Sequence, residues 1–397
     1  MMPVDDLWLK KGPDGKKVPS ARHGRGKRYR VRFIDPDGAA RTQLFDKKID
    51  AENYDASIRT DVRRGEYIDP RAGRTTFADV AEQWRGNQVH ATNTALLIES
   101  LFRRHVLPYL GSRPIASIKR SDVQGLVRRM DVSLAPASVK VAYRFVVSVF
   151  RSAVMDGLIS KSPCVGINLA EVTKKRLQVF PMDDIDALRD AKPPRYRALD
   201  DLGALAGLRQ GEAFGLEVEQ VDFLRRRLRV EQQLLWLPGQ PPFLAPPKTR
   251  HSLRTIPIGK TLVDRLAAHL RDFPAVDIEV VDKTGGGARV RKARLLVGRV
   301  ISRAAYSRQV WRPAVKKVGL AGAGEPTFHD LRHFYASALI AHGASVTQVA
   351  ARLGHHPDGH ETLSTYAHLW PGEDDRTRDA IDALFDAPVQ DRLRSVP

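Results

Sequence analysis

The sequence is poor in cysteine and has no long apolar run. Cys164 is the only cysteine among 397 residues, which excludes an intrachain disulfide and a cysteine-rich metal site. No stretch approaches the roughly 18 apolar residues that a membrane-spanning helix needs. The first residues also lack the apolar core of a secretory signal. We therefore expect a soluble, intracellular protein that does not enter a membrane.

The charge of the chain points to a polyanionic partner. Lys and Arg number 65 against 46 Asp and Glu, which gives a net charge of +19. The excess is spread along the chain rather than gathered in one tail, which is typical of extended contact with nucleic acid. A basic soluble protein without such a partner is the alternative that charge alone leaves open. The length and the apolar content of 42% allow two or three domains, each with its own core.

Residues 1–70 predict a small module of strands and one helix. Apolar residues alternate with arginines along its most basic strand, so that one strand face is apolar and the other is basic. The arginines of this row are Arg28, Arg30 and Arg32. We interpret the row as a DNA contact, and a solvated strand face is the alternative.

Residues 75–168 predict a helical bundle with short connections. Thr76 and Asp79 have the spacing of a capping box at the start of its first helix. Apolar residues recur at helical spacing in this region, as at Val139 and Val146. We interpret these stripes as core rather than as a cofactor site.

Residues 175–390 predict a mixed α/β domain. The three glycines at positions 207, 211 and 215, within GLRQGEAFGL, are costly inside a helix, so we expect a sharp turn between two helices, with Arg209 at the turn. Phe243–Pro257 predicts strand structure with a hairpin tip that includes Lys248. Residues 274–292 contain three consecutive glycines and predict a flexible excursion. The fold class of the chain is therefore mainly α with small β elements, an α+β protein.

The most informative pattern lies in residues 327–370. His329 and Arg332 are three residues apart on a predicted helix, so they share one face. A second short helix then delivers His355 to the same region, and Tyr366 follows. A guanidinium, two imidazoles and a phenol can thus converge. This set suits a phosphate-like centre, with arginine as a two-pronged clamp and the phenol as nucleophile or proton donor.

Five separated elements of the sequence resemble the tyrosine recombinase (phage integrase) family. In chain order they are Arg209 within GLRQGEAFGL, Lys248, HDLRH at 329–333, LGH at 353–355 and a tyrosine shortly after it. The resemblance covers most of residues 175–390, as the catalytic domain. The arrangement ahead of it resembles the family's three-domain members, with residues 1–70 as an arm-type DNA-binding module and residues 75–168 as a core-binding domain.

The resemblance implies strand transfer without metal or other cofactor. A tyrosine attacks the scissile phosphodiester and forms a 3′-phosphotyrosyl link, which conserves the phosphoester so that rejoining needs no ATP. Arginine and lysine stabilise the negative charge of the phosphate, as metal ions do in other enzymes. The implied residues are Tyr366 as nucleophile, Arg209 and Arg332 as phosphate clamp, His329 and His355 as phosphate-bonding or proton-transfer groups, Lys248 as acid for the leaving 5′ oxygen, and Glu212 in support.

Some neighbours of these residues have similar chemistry. Arg250 and Arg254 lie close to Lys248 and are rivals for its role. We interpret His333 and His368 either as residues that support the catalytic groups or as structural residues.

The implied function is a site-specific DNA integrase or recombinase of a phage or related mobile element. Its implied partners are double-stranded DNA, at core and arm attachment sites, and three further copies of the chain in a homotetramer. A host bending protein and a directionality factor are further candidate partners. The implied location is the cytoplasm of a bacterial host, at the nucleoid. Two alternatives are a type IB topoisomerase-like enzyme and a catalytically silent architectural or regulatory DNA-binding protein. Action of Tyr366 in cis or in trans is open at this point.

Overall fold

The computed structural model describes residues 4–35, 38–64, 67, 69, 71–172, 179–322, 324–370 and 382. The chain divides into two compact units, residues 1–174 and 175–397. Helices with several small sheets make up the described regular structure, which confirms the predicted α+β class. The predicted domain limits at residues 70, 175 and 390 lie outside the described residues. None of the described helices is long and apolar enough to cross a bilayer.

The first part of unit 1 is a three-stranded antiparallel sheet packed on a helix. The elements are β1 (Asp5–Asp6), β2 (Leu9–Lys11), β3 (Lys17–Pro19), β4 (Tyr29–Ile34), β5 (Ala40–Phe45) and α1 (Lys48–Arg64). The sheet order is β1-β4-β5, and β2 pairs only with β3 among the described strands. Val31 and Phe33 of β4 are buried with Ala51 and Ile58 of α1. The alternation in the sequence therefore produces one apolar face, as predicted.

The rest of unit 1 is a helical bundle around an aromatic core. Its elements are α2 (Phe77–Gly86), α3 (Thr92–Leu101), α4 (Leu107–Leu110), α5 (Arg120–Ser133) and α6 (Pro136–Met155). The Thr76 hydroxyl accepts a hydrogen bond from the Asp79 amide at 3.2 Å, so the predicted cap forms. A π-helical turn at 102–106 joins α3 to α4. The rings of Phe77 and Phe150 lie 5.3 Å apart in the core that α2 and α6 share.

Unit 2 contains nine helices among its described residues. They are α7 (Met182–Asp190), α8 (Pro194–Ala206), α9 (Gln210–Phe214), α10 (Lys260–Asp272), α11 (Arg303–Tyr306), α12 (Arg312–Lys317), α13 (Phe328–Ala341), α14 (Val346–Leu353) and α15 (His360–Tyr366). The predicted sharp turn is present: α8 ends at Gly207, whose φ of 65° is left-handed, and α9 begins after Arg209. Gly203 lets α8 and α13 pack closely, because a Cβ there would lie 2.9 Å from the Cβ of Leu331.

Unit 2 also contains two small sheets, and their strand pairing shows that two predictions from the sequence are wrong. The strands are β6 (Val221–Asp222), β7 (Arg227–Val230), β8 (Gln233–Leu235), β9 (Phe243–Ala245), β10 (Arg254–Pro257), β11 (Ile278–Asp282) and β12 (Arg289–Ala293). The sheet orders are β10-β7-β6 and β12-β11-β9-β8, so the segment after β9 bridges two sheets instead of forming a hairpin tip. The predicted flexible excursion at 274–292 is wrong, because β11 and β12 pair there and bury Val280 and Ala293.

Candidate active site

Arg332 is the buried centre of the site. It lies in the first turns of α13, and its residue surface is only 1% exposed. Its Nη1 donates to the Gly207 carbonyl at 2.7 Å and its Nη2 donates to the Leu353 carbonyl. Both carbonyls end helices, α8 and α14, where the helix dipole is negative. Burial, followed by the charge of Arg209, lowers the pKa of Arg332 to about 9, which leaves it charged at neutral pH.

One buried carboxylate holds two further arginines. Glu212 accepts a hydrogen bond from Arg209 at 3.0 Å and from Arg254 at 2.8 Å. Burial by itself raises the pKa of Glu212, but the charges and hydrogen bonds of Arg254 and the charge of Arg209 outweigh it and lower that pKa. Glu212 is therefore ionised at neutral pH, and its two oxygens fix the directions of two guanidinium groups.

Arg209 links this carboxylate to the segment before β10. Its Nη1 lies 3.2 Å from the Ser252 hydroxyl, and its side chain is 31% exposed, so part of the guanidinium faces solvent. Ser252 itself lies against Gly354, where a Cβ would come within 2.9 Å of the Ser252 Cα. Glycine at 354 therefore permits the close approach of α14 to this segment. Arg254 fixes the same junction by donating to the Arg352 carbonyl at 2.9 Å.

His355 is buried beside Arg332 in a single tautomer. The Arg332 Nη2 lies 3.1 Å from His355 Nε2, and a guanidinium can only donate, so Nε2 is the acceptor. The His355 Nδ1 must then carry the hydrogen and donate to the Thr362 hydroxyl, 2.9 Å away. Burial, followed by the charge of Arg332, lowers the pKa of His355 to about 3. His355 is thus a neutral ring that orients the guanidinium.

Tyr366 is the last residue of α15, and its side chain lies against α13. Its residue surface is 2% exposed, and its Oη lies 2.7 Å from Nδ1 of His333. Burial raises the pKa of Tyr366 to about 12, although Arg332 and Arg209 act in the opposite direction. His329 packs edge-on against His333, with ring centroids 4.6 Å apart, and stays exposed. Although part of the residue reaches solvent, desolvation of the ring, followed by the charge of His333, lowers the pKa of His329 to about 4.

Four predicted residues remain, namely Lys248 and the three arginines of the N-terminal row. Lys248 is exposed in the segment between β9 and β10, and among the described residues it has no hydrogen-bond or ion-pair partner. The arginines of the N-terminal row are paired with carboxylates of β1. Arg28 pairs with Asp6 at 2.9 Å, and Arg30 and Arg32 pair with Asp5 at 2.9 and 3.0 Å.

Sequence reasoning missed Ser252 and Thr362, and it considered Arg254 only as a rival of Lys248 and His333 only as a supporting or structural residue. Ser252, Arg254 and Thr362 each contact a predicted site residue, and His333 contacts the phenol. The contacts of Ser252 and Arg254 join positions more than 40 residues apart, and Thr362 follows His355 by seven residues without a recognisable motif, so local spacing gives no signal for these three. Only His333 has a local signal in the sequence, because it directly follows Arg332.

The cluster has the charge of an anion site. The guanidinium groups of Arg209 and Arg254 share the carboxylate of Glu212, and among the described residues Arg332 pairs with no carboxylate. The imidazoles of His329 and His355 are neutral near pH 7. A buried excess of positive charge favours binding of an anionic group. Among the described residues no cluster of His, Cys, Asp and Glu could hold a metal ion. The arrangement therefore offers a phosphate-sized anion a set of fixed donors beside a phenol.

Comparisons with known proteins agree with this chemistry. Residues 178–372 match the model of the phage integrase family, and residues 77–170 match that of the phage integrase central domain. A tyrosine recombinase XerC-like protein of Caldanaerobacter subterraneus is 24% identical over 400 residues, which cover 93% of this chain and 99% of that protein.

Two solved structures share the fold. The Tn1549 transposon integrase in complex with transposon right end DNA has a TM-score of 0.65 at 22% identity, covering 78% of this chain and 100% of that one. A lambda integrase tetramer bound to a Holliday junction has a TM-score of 0.55 at 17% identity, covering 86% and 92% of the two chains.

The chain belongs to the phage integrase family of tyrosine recombinases. Its activity is site-specific DNA recombination, an enzymatic strand transfer. The relatives do not favour either alternative, the type IB topoisomerase-like enzyme or the silent architectural protein.

Proposed function

We propose that the chain cuts and rejoins DNA through Tyr366. Its Oη attacks the scissile phosphorus, forms the 3′-phosphotyrosyl link and releases a 5′ hydroxyl. Arg209 and Arg332 stabilise the charge that grows on the non-bridging oxygens. His329, exposed at the edge of the cluster, hydrogen-bonds the phosphate, and Lys248 protonates the leaving 5′ oxygen once DNA orders it against the site.

One observation carries this assignment: the phenol and the arginine cluster belong to one chain's site. The Tyr366 Oη lies 2.7 Å from Nδ1 of His333, which directly follows Arg332 on α13, so the phenol lies beside the arginine cluster. This hydrogen bond fixes the position of the phenol oxygen. This geometry supports action of Tyr366 in cis, on the phosphate bound by its own protomer.

The proposal extends to the rest of the chain. Residues 75–168 bind the core site and residues 1–70 bind arm-type sites, and four protomers join two DNA segments through a four-way junction. The solved relatives bound to DNA and to a Holliday junction support this arrangement. The DNA joined is that of a phage or another mobile element, and a host bending protein and a directionality factor assist the reaction.

The test uses nicked DNA substrates from the regions that flank the gene. Once the strand is cut, the short 5′ fragment diffuses away and the covalent adduct accumulates. We expect wild-type protein to form a denaturant-resistant adduct in the presence of EDTA, and Tyr366→Phe to form none while retaining affinity for the same DNA. Equal adduct formation by Tyr366→Phe and wild type would overturn the assignment of the nucleophile.

A further inference from the structure

His333 is the side chain that contacts the attacking atom. It follows Arg332 on α13, and its Nδ1 lies 2.7 Å from the Tyr366 Oη. Among the described residues, no other group hydrogen-bonds this oxygen. A distance of 2.7 Å is that of a strong hydrogen bond between a phenol and a neutral ring nitrogen. The roles implied by the resemblance leave His333 without a part in the chemistry.

The two groups are suited to exchange a proton. Burial lowers the pKa of His333, so its ring is neutral near pH 7 and has a free lone pair. Burial raises the pKa of Tyr366 to about 12, so the phenol still holds its proton when DNA binds. A phenol is a weak nucleophile in this form and needs a base at hydrogen-bond distance. Neutral His333 with its hydrogen on Nε2 provides that base at Nδ1.

The environment of His333 can hold the charge that such a transfer creates. Asp330, on the same helix, raises the pKa of His333, while Arg332 lowers it. His329 contacts the ring edge-on and stays neutral. On α15, the group that contacts His333 is the Tyr366 phenol, which is its hydrogen-bond partner. An imidazolium at this position therefore has one nearby carboxylate to offset the neighbouring guanidinium.

We propose that His333 accepts the Tyr366 proton as Oη attacks phosphorus, and returns it during rejoining. In cleavage the Oη–H bond breaks and an Nδ1–H bond forms, while the Oη–P bond forms and the P–O5′ bond breaks. The leaving 5′ oxygen takes its proton from Lys248. In rejoining the 5′ hydroxyl gives its proton back to Lys248 as it attacks phosphorus and re-forms the P–O5′ bond. The Oη–P bond then breaks, and the departing Oη recovers its proton from Nδ1. This inference rests on the proposed function of Tyr366.

His333→Asn tests the base role with little change in shape. The Asn side chain can place an oxygen near the position of Nδ1 and accept the phenol hydrogen bond, but it cannot take the proton. With the nicked substrate under single-turnover conditions, we expect the adduct to form roughly 10²-fold to 10⁴-fold more slowly, with unchanged DNA affinity. The matched control is His342→Asn, the same substitution at the exposed C-terminal end of α13, which should react like wild type.

The pH dependence separates a lost base from a distorted site. In His333→Asn, hydroxide must remove the phenol proton, so the rate should rise about tenfold per pH unit above neutrality. The wild-type rate should stay nearly flat there, since His333 is already neutral. Glu361 and Arg209, which also act on the Tyr366 pKa, are unchanged in both proteins. His333→Gln, measured in parallel, keeps more of the ring's volume and should show the same slope.

A 5′-bridging phosphorothiolate substrate separates the two proton transfers. A sulfur leaving group needs no protonation, so this substrate should rescue Lys248→Met but leave the defect of His333→Asn in place. Wild-type adduct formation that Tyr366→Phe abolishes establishes the nucleophile independently, so the result for His333→Asn bears on this inference alone.

Three results would contradict the inference. They are adduct formation by folded His333→Asn within about threefold of wild type, rescue of that variant by the phosphorothiolate, and a pH profile parallel to that of wild type. A variant faster than wild type would show that His333 restrains the phenol instead of activating it, and would equally overturn the proposal.

Discussion

The N-terminal arginine row and the arginines of the active site use the same side chain in opposite ways. Arg28, Arg30 and Arg32 lie at the surface, and each pairs with a carboxylate of the neighbouring strand. In the active site, Arg209 and Arg254 share the single carboxylate of Glu212, while Arg332 is almost wholly buried and, among the described residues, pairs with no carboxylate. The surface row is largely neutralised by the protein itself. The buried cluster keeps an excess of positive charge that only a bound anion can offset.

We expect the largest effect on this contrast from removing the buried carboxylate of Glu212. Glu212→Gln leaves Arg209 and Arg254 without their shared partner, so we expect a loss of about 3–5 kcal/mol in the free energy of unfolding. Asp5→Asn, the matched change in the surface row, should cost under about 1 kcal/mol. Chemical denaturation measures both. Similar costs for the two variants would contradict the distinction.

The pKa of Glu212 adds a pH window to this prediction. The pKa of Glu212 in the folded protein lies below its ordinary value of 4.5, so its ion pairs stabilise the fold above that pH. That stabilisation is lost as the pH falls through the folded pKa. Glu212→Gln should therefore flatten the acid limb of the stability profile.

Arg332→Lys tests the clamp. A lysine retains the charge but cannot donate in fixed directions to the two helix-end carbonyls and the phosphate. We expect adduct formation to fall about 10²-fold to 10³-fold, with DNA affinity little changed. Arg30→Lys is the matched control and should leave the adduct rate as in wild type. Equal rates for Arg332→Lys and wild type would show that charge alone suffices.

Buried His355 should make the fold sensitive to pH below neutrality. Its folded pKa is lowered from 6.5 to about 3, so between these values the unfolded chain binds a proton that the folded chain refuses. Stability should thus fall as the pH drops from 6.5, by roughly 2–3 kcal/mol after allowance for solvent screening. Thermal unfolding across this range should show the loss in wild type, and much less of it in His355→Asn. The exposed His342→Asn should keep the wild-type profile.

The smallest effect is expected in the surface row. Asp5→Asn combined with Asp6→Asn frees the three arginines for phosphate, so arm-site affinity should rise a few-fold at low salt. The slope of log affinity against log salt should steepen by roughly one for each new phosphate contact. Fluorescence anisotropy at several salt concentrations measures both quantities. An unchanged slope would argue that this face does not meet DNA.

Sequence reasoning succeeded where one segment determines its own structure. The alternation in β4, the cap at Thr76 and the turn before Arg209 are local features, and all three form as predicted. The family motifs also pointed to Arg209, Arg332, His355 and Tyr366, which the fold brings into one cluster. Spacing along the chain contains this information because each motif lies within one helix or at its end.

The same reasoning failed where contacts are long-range. Arg254 and Ser252 reach Glu212 and Arg209 from the segment that bridges the two sheets, and nothing local marks them as partners. Residues 274–292 were assigned to a flexible excursion because of their glycines. The buried pairing of β11 with β12 overrides that local tendency, and Asp282 anchors Arg289 and Arg291 across the pair.

The most direct measurement of the central claim is the chemical location of the adduct. The complex trapped on nicked DNA is digested with protease and nuclease, and mass spectrometry identifies the peptide that carries the nucleotide. We predict a 3′-nucleotidyl phosphate on Tyr366, formed in EDTA. A nucleotide on any other residue, or a cleaved strand with no covalent link to protein, would contradict the account.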